Sequence, residues 1–97
     1  MERKLERLAY ELGRRLQTQG VTLATAESCT GGWIAKVVTD IPGSSGWLER
    51  GFVTYSNDAK REMLGVSPAT LEQEGAVSEA VVREMALGAL EHSRAQL

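Results

Sequence analysis

The chain has 97 residues, 42% hydrophobic and 25% charged, with a formal net charge of −2 and an isoelectric point near 5.4. That composition fits one globular domain at most and excludes a disordered chain, while the acidic balance argues against a general nucleic-acid binder, which needs a basic stripe. The single cysteine, Cys29, excludes an internal disulfide and a cysteine-rich metal site.

Leu5, Leu8, Ala9, Leu12 and Leu16 recur at helical spacing and predict an amphipathic helix of about four turns that ends near Gly20. Val21 to Ala26 is β-branched, free of charge and reads as a short buried strand. The polar, glycine-rich run Glu27-Ser28-Cys29-Thr30-Gly31-Gly32 follows at once. Ile34, Val37, Val38 and Ile41 then predict a helix from near Thr30 to about Asp40, so the chain opens as strand, tight loop and helix, an α/β unit. Pro42, Gly43 and Gly46 mark a loop, and Trp47 to Tyr55 reads as extended, with Phe52 to Tyr55 as the strand. Ser56 or Asn57 caps a helix through Leu64 that Gly65 stops; Ser67-Pro68 starts a short helix ending at Gly75; Ser78 caps a last one with Val82, Met85, Ala86 and Ala89 on one face. Two strands cannot bury both faces of a sheet, so further strands beyond Leu97 or a partner chain are expected to complete it.

No apolar stretch is long enough to span a bilayer, and no signal-peptide core follows Met1-Glu2-Arg3-Lys4. A reducing, cytoplasmic setting without membrane contact is the expectation.

Three segments could carry chemistry. The loop Glu27–Gly32 lies at the carboxyl end of a predicted strand, where α/β sheets bind ligands, and the helix start behind it suits an anion. A plain turn capped by Thr30 would look the same. Pro42-Gly43-Ser44-Ser45-Gly46 presents two serines with little steric cover, or is a linker turn. In Thr54-Tyr55-Ser56-Asn57-Asp58-Ala59-Lys60, a lysine near a helix start is a candidate general base for a serine, and a tyrosine at a strand end a candidate proton donor. The alternative is a solvated helix face at Lys60-Arg61-Glu62 and an interior Tyr55. Cys29 could be a thiolate at a helix start, but its one possible histidine partner, His92, sits in another element, and a small packed residue is the simpler reading.

At Ala26-Glu27-Ser28-Cys29-Thr30-Gly31-Gly32 the chain resembles the C-terminal domain of the competence-damage protein CinA, the nicotinamide-nucleotide amidohydrolase family. The resemblance continues through Thr39 to Ser45, Gly51 to Asn57, Lys60, Leu64-Gly65-Val66 and Gly75 to Ser78. It implies a three-layer α/β/α sandwich, incomplete here, with residues 1–97 one partial domain whose later strands are absent. It also implies deamidation of nicotinamide mononucleotide to nicotinic acid mononucleotide and ammonia, a role in NAD salvage, no catalytic metal or other cofactor, and a homo-oligomer.

By that resemblance Ser45 is the preferred nucleophile, Lys60 the base, Tyr55 the proton relay and Ser28 the second candidate nucleophile. Glu27, Thr30, Gly31, Gly32 and Asn57 would bind substrate. A catalytically silent nucleotide-binding module, or an interaction fragment with an open sheet edge, is the alternative.

Overall fold

Serine and glycine decide where the helices begin and end in the computed structural model, which describes residues 2–97. The order is α1 (Glu2–Gln19), β1 (Leu23–Glu27), α2 (Trp33–Thr39), a 3-10 turn (Ser44–Gly46), β2 (Leu48–Val53), α3 (Asn57–Leu64), α4 (Pro68–Glu74) and α5 (Glu79–Glu91). The three predicted serine caps form: Ser56 accepts from the Ala59 amide, Ser67 from Thr70 and Ser78 from Val81. Each satisfies one of the amides that a helix start leaves without a partner. The start of α2 differs from the sequence expectation. Gly31 and Gly32 have φ of +66° and +106°, which is left-handed backbone, so the helix begins only at Trp33.

β1 and β2 pair in parallel, from Leu23 opposite Leu48 to Glu27 opposite Val53, with an irregularity between Leu23 and Ala24. Alternation along β1 sorts its side chains between two faces. Leu23 joins Leu16, Val38 and Trp47 under α1 and α2. Ala26 and Phe52 face the second core of Leu64, Val66, Leu71, Val81, Met85 and Ala89, built by α3, α4 and α5. Helices thus lie on both sides of the sheet in an α/β/α arrangement. Burying each of these large apolar side chains stabilises the fold by about 1.5–3 kcal/mol.

The other edge of β1 is also engaged. The Leu97 amide donates to the Thr22 carbonyl (3.2 Å) and the Leu97 carbonyl accepts from the Ala24 amide (2.8 Å). Leu97 therefore lies beside Leu23 in parallel register, opposite the side taken by β2. No helix among the described residues is long and apolar enough to cross a membrane.

Candidate active site

Loops that follow parallel strands emerge at one end of the sheet, and here two of them meet. Ser28–Gly32 follows β1, and Thr54–Ser56 follows β2 and leads into α3. Lys60 lies one turn into α3, where its side chain leans back toward the helix start and so toward the strand ends. It is 2% exposed, a degree of burial that a lysine tolerates only when its polar head is satisfied. Lys60 Nζ is 2.9 Å from Ser28 Oγ, 2.9 Å from the Thr54 carbonyl and 3.0 Å from the Tyr55 carbonyl.

The three partners are not equivalent. Carbonyl oxygens only accept, so Thr54 and Tyr55 each fix one N–H of Lys60 in any protonation state. The third position faces a hydroxyl, which can accept from an ammonium or donate to a free amine. In the amine form the lone pair is thereby directed at the Ser28 O–H, the arrangement that deprotonates a serine for attack.

Glu27 ends β1 and is 4% exposed. Its Oε1 accepts from the Thr30 hydroxyl (2.6 Å) and the Ile34 amide (2.8 Å), and its Oε2 from the Ala35 amide (3.0 Å). Burial alone would raise its pKa; the Thr30 hydroxyl, then the Ala35 and Ile34 amides, outweigh burial and hold the carboxyl below the ordinary glutamate value. The Glu27 carbonyl accepts from the Thr54 amide (2.8 Å), which closes the two loops on each other.

Around Ser28 and Lys60 opens a cleft of about 510 Å³. Glu27, Ser28, Cys29, Thr30, Tyr55 and Lys60 line one side; Ile34, Ala76, Val77, Val82 and Met85 form an apolar wall. Polar groups converging against an apolar wall suit a small organic molecule. Among the described residues, no three His, Cys, Asp or Glu side chains gather where they could hold a metal ion.

Of the residues expected from sequence, Glu27, Ser28, Thr30, Tyr55 and Lys60 come together at this cleft. Tyr55 is 75% exposed at its mouth. Gly31 and Gly32 shape the loop behind it, while Asn57 is exposed at the start of α3 and does not line it. Ser45 lies elsewhere. It sits in the 3-10 turn that precedes β2, at the amino ends of the strands, and the five residues of β1 put about 16 Å between the two ends at 3.3 Å per residue. The Ser45–Lys60 pair expected from the resemblance is therefore not formed.

The wall residues Ala76, Val77, Val82 and Met85, and the part of the Thr54 carbonyl as an acceptor for Lys60, were not anticipated. Thr54 carried one sequence signal, its place between the apolar end of a strand and a capped helix. The wall carried no signal of its place in the site: Val82 and Met85 reach it from α5, and Ala76 and Val77 from the segment that leads into α5.

The CinA C-terminal domain family matches residues 5–97. The nicotinamide-nucleotide amidohydrolase PncC of Escherichia coli (strain K12) is 62% identical over 92 residues, 95% of this chain and 56% of that protein. The chain thus spans about half the length of the curated relative it matches. Among solved structures, the competence/damage inducible protein CihA of Agrobacterium tumefaciens is 53% identical with a TM-score of 0.92, covering 94% of this chain and 55% of that one. A CinA superfamily protein from Escherichia coli gives a TM-score of 0.91 at 42% identity, covering 94% and 53%.

Proposed function

The chain belongs to the CinA C-terminal domain family, and on that premise we propose that it carries the nucleophile and base of an amidohydrolase that converts nicotinamide mononucleotide to nicotinic acid mononucleotide and ammonia. The amidohydrolase name borne by the Escherichia coli relative supports the reaction class. The observation that carries the reading within this chain is the contact of 2.9 Å between Lys60 Nζ and Ser28 Oγ, with the other two Lys60 positions held by carbonyls.

Ser28 is the nucleophile in this reading, in place of Ser45. The Lys60 amine takes the Ser28 proton as Oγ bonds to the carboxamide carbon. The backbone amides of the Ser28–Gly32 loop, among which Cys29 and Thr30 donate no hydrogen bond found among the described residues, are the donors this reading assigns to the oxyanion. One such donor contributes roughly 3–4 kcal/mol to the transition state. The carbon–nitrogen bond then breaks, and ammonia leaves with the proton held by Lys60, relayed through Tyr55 at the cleft mouth. Water, deprotonated by Lys60, cleaves the ester and returns the proton to Ser28. The sum is amide plus water giving carboxylate and ammonium. The apolar wall from Ala76 to Met85 takes the pyridine ring.

Residues 1–97 are part of one domain in the same reading, which serves cytoplasmic NAD salvage. The exposed apolar groove of Leu8, Trp33 and Ile34 between α1 and α2 offers a surface for a homo-oligomer.

Ammonia release from nicotinamide mononucleotide tests the proposal, alongside intact-mass detection of an acylated serine. Ser28→Ala and Lys60→Ala should both abolish turnover and labelling, and Ser45→Ala should keep them. An active Ser28→Ala variant, or loss of activity in Ser45→Ala alone, would sink the assignment.

A further inference from the structure

We propose that Glu27 is a positioning residue that holds Ser28 and Lys60 in register, rather than a substrate ligand; the inference rests on the reading of Ser28 as nucleophile. Both halves of the pair run through this one residue. Its carboxylate gathers the Thr30 hydroxyl and the Ile34 and Ala35 amides, which fixes the loop that presents Ser28 to the first turns of α2. Its carbonyl accepts from the Thr54 amide, and the Thr54 carbonyl in turn holds Lys60 Nζ at 2.9 Å. Thr54 is fully buried, so this second arm has no solvent to slacken it.

The same geometry disfavours substrate binding by Glu27. Three internal donors already occupy its two oxygens, which offer about four acceptor sites in all. A buried carboxylate would also repel the phosphate of a nucleotide. Glu27 borders the cleft, yet its polar atoms are turned into the protein.

Glutamine is the informative substitution because it keeps the shape. Its NH2 must replace one oxygen, so a donor faces the Ala35 amide or the Ile34 amide and Thr30 hydroxyl, and the loop is released. The experiment is time-dependent acylation of Ser28 by a small fluorophosphonate, read by intact mass and peptide mapping over a range of reagent concentrations.

Glu27→Gln should lower the limiting rate constant about 10- to 100-fold, the scale of a misplaced reacting group. The half-saturating reagent concentration should move by less than about twofold, since no binding contact is removed. A wild-type limiting rate in the folded variant, or a change confined to half-saturation, overturns the proposal. If Glu27→Gln does not fold, Thr30→Val removes one of the three donors and leaves the carboxylate. It should lower the same limiting constant less, and an unchanged constant overturns the proposal there. Absence of Ser28 labelling in the wild type, or labelling that survives Lys60→Ala, instead marks failure of the underlying serine–lysine reading and takes this inference with it.

Discussion

The Thr54 carbonyl holds Lys60 Nζ at 2.9 Å inside the protein, so the lysine proposed as base is also a structural plug at the end of β2. Lys60→Met keeps the stem and removes every donor, leaving the Thr54 and Tyr55 carbonyls without one. We expect a destabilisation of about 1–3 kcal/mol, the cost of stranded buried acceptors offset in part by a more apolar side chain. Urea denaturation reads this as a lower midpoint at constant slope. Acylation of Ser28 should be lost in the same variant while it is still folded. A variant both stable and reactive would remove Lys60 from both roles.

α3 and α5 approach so closely at Gly88 that a Cβ there would overlap the Leu64 carbonyl. Main chain cannot swing aside as a flexible side chain can. Gly88→Ala should therefore push α5 off α3 and disturb the core of Leu64, Val81, Met85 and Ala89. The expected loss is about 1–3 kcal/mol, the range for overpacking, despite the better helix propensity of alanine. Thermal unfolding checks the sign: a raised midpoint would mean that the helices separate at no cost.

Local punctuation was legible in the sequence wherever one residue type has one job. Ser56, Ser67 and Ser78 cap helices as their neighbours predicted, and Gly65 ends α3 in left-handed backbone. Ser28, Tyr55 and Lys60 were each singled out in the sequence, Ser28 and Tyr55 just after strands and Lys60 in the first turn of α3, but the preferred partner of Lys60 was Ser45 and not Ser28. What the residues alone left open was the end of the sheet each loop would reach. That depends on strand direction. In a parallel pair, a loop preceding β2 and a loop following β1 lie at opposite ends, which separates Ser45 from Lys60. The α2 start was misplaced for a different reason. Gly31 and Gly32 were expected to bind substrate, while their positive φ also delays the helix and leaves Glu27 to cap it from inside.

Glu27 also sets a limb of the stability–pH curve. Its folded pKa is held below the ordinary value of 4.5, despite burial, by Thr30 and the Ala35 and Ile34 amides. The unfolded chain thus binds more protons than the folded one as pH falls past that value. The contribution is complete above the unfolded pKa and is lost as pH drops through the lower folded pKa. Glu49 and Glu84 are lowered as well, through Arg50 and the Ser67 amide respectively, so the wild-type acid limb is shared. Melting temperatures of the wild type and Glu27→Gln isolate the Glu27 share: the gap between them should narrow steadily below pH 4.5. A gap that stays constant into acid would mean that the carboxylate charge adds nothing to the cap.

Cys29 follows Ser28, is exposed and lines the same cleft, yet among the described residues Lys60 Nζ is hydrogen-bonded to Ser28 Oγ and two carbonyls and not to the Cys29 thiol. The ring of His92 is occupied at the end of α5, with Nδ1 2.8 Å from the Gly88 carbonyl, and does not border the cleft. A nucleophilic role for the thiol therefore lacks the positioned base that Ser28 has. Cys29→Ala should keep Ser28 acylation within about twofold of wild type, since no transition-state contact is removed. Alkylating Cys29 in the wild type with N-ethylmaleimide should do the opposite, because the adduct fills the space in front of Ser28. Acylation measured before and after complete alkylation, with Cys29→Ala as the insensitive control, separates the two effects. If fully alkylated protein still acylates at its original rate, Ser28 is reached by another route and the cleft is not the site of entry.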